Sequence, residues 1–188
     1  MLSSSNRKYI LDTSAVLAGF LNTSASNDMC VTPLVIAEVK KKLGEEEASL
    51  LLDFRKLFVV EPLLETVNEI LERIKKMGEG GNLSPADISV LALGVDINKS
   101  ATVEIITDDY SIQNVATMLG LRVHSLATKP ISSTVLWEYR CKGCGKVYAT
   151  IGKNKICMVC GSEIIRRPIK KIKKGPRPKS VAGNDFST

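Results

Sequence analysis

The stretch KYILDTSAVL, from Lys8 to Leu17, decides the fold. Tyr9, Ile10 and Leu11 have strand character and run straight into Asp12. Thr13 and Ser14 then offer N-cap oxygens to a helix through Ala15, Val16 and Leu17. An acid at the carboxyl end of an apolar, central strand adds little stability. It is well placed to hold a cation, because open α/β sheets bind ligands beyond the carboxyl ends of their strands. After the polar loop NTSASND, Thr32-Pro33 opens a helix to Lys42, and an amphipathic helix from Glu45 leads to the strand-like LFVVEP. A long helix spans about Leu63 to Met77, and Ser84-Pro85 starts another to about Asp96. TVEIIT is a strand, DDYSIQNVATMLG a helix closed by Gly120, and LRVHSL a last strand. GEGGNLS, from Gly78 to Ser84, reads as a mobile break. The alternation predicts an α/β domain over residues 1–127, a mostly parallel sheet flanked by helices.

Charge divides the chain. Residues 1–130 carry 13 Lys+Arg against 17 Asp+Glu, a net −4, and residues 131–188 carry 13 against 3, a net +10. An acidic globular part joined to a basic end suggests a polyanionic partner gripped by that end, the alternative being a solubilising tail. No apolar run approaches the ~18 residues that span a bilayer. The N-terminus MLSSSNRKY lacks the apolar core of a signal peptide, so the expected location is the cytoplasm.

Four places in the first domain offer acids to a site at the top of the sheet. Asp12 ends the first strand; Asp108 and Asp109 follow TVEIIT. Glu38 lies among Val35, Ile36, Ala37 and Val39, and Asp87 sits in the first turn of the helix opened by Ser84-Pro85. Each has a structural alternative: a capping box of Asp87 with Ser84, an N-cap from Asp108 or Asp109, a turn cap from Asp12, a solvent-facing Glu38. Taken together, acids at two strand ends and beside two helix starts point to one carboxylate cluster. Clustered carboxylates repel and are stable with a cation between them. All-oxygen ligation selects Mg²⁺ or Mn²⁺, which can activate water and neutralise a scissile phosphate. The single histidine, His124, excludes a two-histidine, metal-free ribonuclease and is read as a strand residue.

Cys141-Lys-Gly-Cys144-Gly and Cys157-Met-Val-Cys160-Gly form two C-x-x-C-G knuckles twelve residues apart. In a reducing compartment four such thiolates predict a closed tetrahedral Zn²⁺ site in a small β domain, a zinc ribbon over residues 136–168. A module of that size depends on its metal, worth of order 10 kcal/mol, and the sequence predicts that its loss unfolds only residues beyond about 135. Residues 128–135 read as a linker and 169–188 as a basic, disordered tail. Candidate RNA contacts on the ribbon are Lys142, Lys146, Lys153, Lys155, Arg166 and Arg167, with Tyr139 and Tyr148 as stacking groups or core. Trp137 is assigned to the ribbon's own small core. Cys30, in the strand-like MCVT, is read as a buried hydrophobe.

YILDTSAVL, the glutamate of TPLVIAEVK, the aspartate of LSPADISVLALG and the TDDYSIQNVA segment resemble the acidic motifs of PIN-domain ribonucleases, in that family's order, over most of residues 1–126. The resemblance implies that Asp12, Glu38, Asp87 and Asp109 hold a catalytic Mg²⁺ or Mn²⁺, with Asp108 a second choice or helper. It also implies that the strands ending in Asp12 and Asp109 are neighbours. A PIN domain followed by a zinc ribbon resembles the archaeal Nob family over about residues 6–168, and this domain order is more telling than any single motif. It implies a divalent-metal-dependent endoribonuclease that trims precursor small-subunit rRNA near its 3′ end within a pre-ribosomal particle, leaving 5′-phosphate and 3′-hydroxyl ends. Monomer and homodimer are both open. A toxin-type PIN ribonuclease and a non-catalytic rRNA-binding assembly factor are the other two readings.

Overall fold

The computed structural model describes residues 7–22, 28–52, 57–79, 81–127, 129, 131–151 and 154–173. Five strands form the first sheet: β1 (Arg7–Leu11), β2 (Met29–Val31), β3 (Leu57–Val59), β4 (Thr102–Ile106) and β5 (Arg122–His124). Their order is β3-β2-β1-β4-β5 and every pairing is parallel. The helices are α1 (Thr13–Leu17), α2 (Pro33–Leu43), α3 (Glu45–Leu52), α4 (Leu64–Lys76), α5 (Pro85–Asn98) and α6 (Tyr110–Met118), with a 3-10 turn at Phe20–Asn22. Strands covered on both faces lose the polar alternation, so β1, β2 and β4 bury Ile10, Leu11, Cys30, Val31, Ile105 and Ile106 almost completely. Cys30 is thus a core residue, and burial raises its thiol pKa. His124 lies in β5.

The chain leaves β1 toward β2 on one side, and β4 pairs on the other, so a topological switch lies between β1 and β4. Leu11 pairs with Ile106, which brings the two carboxyl ends level and makes Asp12 and Thr107 the next residues out. Thr32 Oγ1 and Ser89 Oγ, both buried, share a 2.7 Å hydrogen bond that sets the start of α2 against α5. The helices carrying Glu38 and Asp87 are thereby fixed beside the switch.

A second, antiparallel sheet has the order β7-β6-β8, from β6 (Ser133–Cys141), β7 (Val147–Tyr148) and β8 (Ile164–Lys173). Its small core is Tyr139, Cys141, Cys157 and Ile164, with Tyr148 and Ile151 against it. Trp137 is not in that core; its ring lies under Arg166, 4.2 Å from the guanidinium carbon, at the junction with the first domain. The strands also overrun the expected limits. β6 begins inside the stretch read as linker, and β8 carries residues 169–173 of the segment read as disordered. Pairing with β6 supplies order that its own composition could not, while 174–188 lie outside the described residues.

The ribbon is docked on the first domain. Asn114 of α6 closes the free edge of β6, accepting from Val135 N–H at 2.8 Å and donating to its carbonyl at 2.9 Å. Trp137 N–H donates to the Met77 carbonyl at 3.0 Å. Glu79, in the break read as mobile, is 1% exposed. Its carboxylate accepts from Asn82 and Asn114 and lies 2.6 Å from Arg166 Nη2, an ion pair not aligned as a hydrogen bond. Composition marked 78–84 as loose because the partners that bury it, Asn114, Trp137 and Arg166, stand more than thirty residues downstream. Gly78, at φ +70°, abuts Trp137 so closely that an added Cβ would overlap the Trp137 carbonyl. Gly78→Ala is therefore expected to cost about 2–4 kcal/mol. Thermal unfolding would register that loss, with a red-shifted emission from Trp137, the chain's single tryptophan.

Candidate active site and four-cysteine centre

Asp12 caps α1 at the β1 carboxyl end and is 4% exposed. Oδ1 accepts from Thr13 N–H at 2.5 Å, while Oδ2 accepts from Ser14 Oγ at 2.9 Å and Thr107 Oγ1 at 2.8 Å. The same hydroxyls organise the next loop: Ser14 Oγ accepts from Asp108 N–H and Thr107 Oγ1 from Asp109 N–H. Thr13 Oγ1 donates to Glu38 at 3.0 Å. The acids are thus carried on a hydroxyl scaffold of Thr13 and Ser14, expected only as helix caps, and Thr107, expected only as the end of a strand. Its signal is a hydroxyl beside each strand-end acid, in DTS and TDD.

The doubled aspartate divides its work. Asp108 Oδ1 accepts from Ser125 Oγ at 2.6 Å, Leu126 N–H at 2.9 Å and Ala127 N–H at 3.1 Å, tying the loop after β5 to the loop after β4. Asp109 caps α6 through Oδ1, from Ser111 and Ile112 N–H, and electrostatically faces Asp87.

Asp87 and Ser84 form a reciprocal capping box, Ser84 N–H to Asp87 Oδ2 at 2.7 Å and Asp87 N–H to Ser84 Oγ at 3.2 Å. The cap and the cluster coexist. Burial raises the Asp87 pKa, the Ser84 bonds oppose it, and the negative charges of Asp12 and Asp109 push it further up. Glu38 is shifted the other way, down, mainly by its bond to Lys42 and also by Thr13. Lys42 lies 2.9 Å from Glu38 in a half-exposed i,i+4 pair, a weak contact that a cation could replace. Among the described residues, only the cysteines bring three or more ligand atoms within 4.8 Å of one another, so the carboxylates stand further apart. These side chains offer only oxygen donors, and Asp87 is raised first by burial and further by the charges of Asp12 and Asp109, an environment that suits a hard cation.

That repulsion has a measurable sign. An acid whose folded pKa is raised favours the fold while protonated and loses that contribution as pH rises through the raised value. Asp87→Asn is therefore expected to raise the melting temperature by about 2–4 °C at neutral pH without added Mg²⁺ or Mn²⁺. Chelators must be left out so that thiolate-bound metal stays in place. Added Mn²⁺ should stabilise the native chain and not the variant.

The second centre is explicit. Cys141, Cys144, Cys157 and Cys160 are free thiols whose sulfurs lie within 4.8 Å of one another, with 3.4 Å between Cys141 and Cys160 and 3.6 Å between Cys144 and Cys157. Gly143 N–H points at the Cys141 sulfur and Val159 N–H at that of Cys157. Gly145 and Gly161, at φ +73° and +74°, close the two knuckle turns. This geometry suits one metal ion.

The ribbon cations are mostly engaged. Lys142 pairs with Glu163, Arg167 with Glu138, and Lys146 lies over the Tyr148 ring. Arg166 is turned to the junction with Glu79 and Trp137. Lys155 is exposed at φ +50°, and Lys153 lies outside the described residues. Tyr139 and Tyr148 are taken up by the ribbon core.

Residues 9–97 match the family described as the PIN domain of ribonuclease, a span that includes Asp12, Glu38 and Asp87. The parallel sheet with acids at its switch point, followed by a ribbon whose four cysteines could hold a metal, thus defines a PIN-type nuclease with an appended four-cysteine module. The chain is 37% identical over 171 residues to Endoribonuclease Nob1 of Methanocaldococcus jannaschii, covering 90% of this chain and 82% of that one. It is 36% identical over 163 residues to Endoribonuclease Nob1 of Archaeoglobus fulgidus, covering 86% and 92%. Ribonuclease VapC1 of Thermoplasma acidophilum is 37% identical over 158 residues, covering 84% and 77%. The chain belongs to the Nob1 endoribonuclease family.

Proposed function

We propose that the chain is a divalent-cation-dependent endoribonuclease that cuts precursor small-subunit rRNA near its 3′ end, in the cytoplasm and within a pre-ribosomal particle. One observation carries the catalytic part: β1 and β4 are adjacent and in register, so Asp12 and the 107–109 segment leave the sheet at the same end, and the charges of Asp12 and Asp109 both add to the burial that raises the pKa of Asp87. Asp12, Glu38, Asp87 and Asp109 would hold Mg²⁺ or Mn²⁺. A cation bound there supplies Lewis-acid neutralisation of the scissile phosphate and water of lowered pKa. Thr107 and Ser14 orient Asp12, Thr13 orients Glu38, and the α6 cap orients Asp109. Asp108 is a positioning residue, holding the loop after β5 against the site. Hydrolysis would leave 5′-phosphate and 3′-hydroxyl ends.

Zn²⁺ is the proposed ion of the four thiolates, since a tetrahedron with arms of about 2.3 Å has edges near those sulfur separations. The division of labour follows residues 1–127 for cutting and the ribbon for RNA affinity. The VapC1 match, longer than the first domain, makes a toxin-type ribonuclease the second reading. One assay separates them: a precursor fragment spanning the 3′ end of small-subunit rRNA, incubated with Mn²⁺ and mapped at nucleotide resolution. A single mature-end cut supports rRNA maturation. Dispersed cuts, with growth arrest on expression, favour the toxin reading, and binding without cutting leaves a non-catalytic assembly factor.

A further inference from the structure

Beyond Pro168, β8 runs Ile169-Lys170-Lys171-Ile172-Lys173, and all five residues are exposed. Among the described residues, the ion pairs of the ribbon join Arg140 and Arg167 to Glu138, Lys142 to Glu163, and Arg166 to Glu79; none involves these three lysines. Three cations without an ion-pair partner thus stand on an ordered edge strand, whereas Lys142 and Lys146 at the knuckles already have partners.

Their place is set by register. Lys173, Lys171 and Lys170 pair with Ser133, Val135 and Leu136 of β6. Val135 is bonded twice to Asn114, five residues from the Asp109 cap of α6 and so about 7.5 Å along that helix. Cys141 is six residues further along β6, about 20 Å away at the rise of a strand. The lysine row therefore lies one strand beyond the helix carrying Asp109, across β6 from Asn114, and the knuckles lie at the distant end. Lys171 and Lys173, two residues apart, are separated by about 6.6 Å on one face, a repeat suited to successive phosphates of an extended single strand.

We propose that β8 from Lys170 to Lys173, rather than the knuckle surface, is the phosphate-binding rail that leads single-stranded RNA to the carboxylates, with Glu79 as the positioning residue that holds it in place. The proposal rests on the ribonuclease function given above and specifies how the substrate is held. Glu79 joins loop, α6 and β8 through Asn82, Asn114 and Arg166, so its neutralisation frees the rail from the active site without touching either.

The test uses the full-length, metal-loaded chain and a labelled single-stranded precursor rRNA fragment. Lys170→Ala/Lys171→Ala/Lys173→Ala is compared with Lys142→Ala/Lys146→Ala/Lys155→Ala. The β8 triple is expected to flatten the dependence of log affinity on log salt by about 1.4, at about 0.7 for each of the two phosphates met by the same-face lysines Lys171 and Lys173. It should raise KM by roughly tenfold and leave kcat within twofold, while the knuckle triple leaves the slope nearly unchanged. Glu79→Gln should raise KM with its metal content and thiol protection intact, and Gly78→Ala, which displaces the junction sterically, should reproduce that effect. A slope lost with the knuckle triple and kept with the β8 triple overturns the proposal, as does a fall in kcat with KM unchanged. If the native chain neither binds nor cuts RNA at any salt, the ribonuclease function itself fails, an outcome distinct from any difference between the triples.

Discussion

Asp12→Asn is expected to abolish cleavage, by about 10³-fold or more, while RNA affinity stays within twofold of the native chain. The size follows from the several kcal/mol that a bound cation contributes to neutralising a transferring phosphate, each 1.36 kcal/mol being tenfold in rate. Asp12 is the acid whose loss matters most because it alone accepts from both strand-end hydroxyls, Ser14 and Thr107, at the switch between β1 and β4. The substitution is nearly isosteric. The same two hydroxyls can turn to accept from the new amide, so the fold should hold and Tm should move by no more than a few degrees. Affinity is spared because phosphate contacts by cations dominate RNA binding, and the cations lie on the other sheet. Cleavage that persists at more than a tenth of the native rate would remove Asp12 from the cation site.

Cys141→Ser is expected to have the largest structural effect. A ribbon core of four buried residues cannot sustain itself, and a four-thiolate metal contributes of order 10 kcal/mol. The variant should lose the metal proposed for the four thiolates, lose hydrogen-exchange protection through β6 and β8, and bind rRNA at least tenfold more weakly. The damage should also cross the junction. With β6 and β8 melted, Glu79 loses Arg166 and Asn114 loses Val135, so protection should fall at residues 77–82 as well, and Trp137 should become exposed. The sheet β1 to β5 keeps its own buried core and should melt as a separate, somewhat less stable unit. A variant in which residues 77–82 stay fully protected would mean that the domains are tethered rather than docked.

The legible part of this protein was local. ILDTS announces a strand-end acid within five residues, S-P-A-D a capped helix with an acid in its first turn, and each C-x-x-C-G a thiolate pair on a turn. In all three the physics is settled by neighbours in sequence: a cap bonds within three residues, and a knuckle glycine takes its positive φ from the turn it closes. The α/β class followed for the same reason, since strand and helix periodicities are read over short windows.

Charges whose partners arrive from afar were not legible. In TDDYS only the family resemblance favours Asp109 over Asp108; their different partners come from the fold, the loop after β5 bringing three donors to Asp108 while Asp109 caps α6. Glu79 reads as a loop acid among glycines, yet it is among the most buried charged residues because Arg166, 87 residues on, neutralises it. Arg166 in turn reads as an RNA contact, and Lys170 to Lys173 as a loose tail, until β6 makes a strand of them. Sequence alone thus determined which residue types could bind a hard cation, a soft one and a polyanion. Tertiary structure decided which of those acids and bases are tied to partners elsewhere in the chain, because a charge is stable in a fold only beside the partner that packing delivers, and that delivery acts over distances no local window spans.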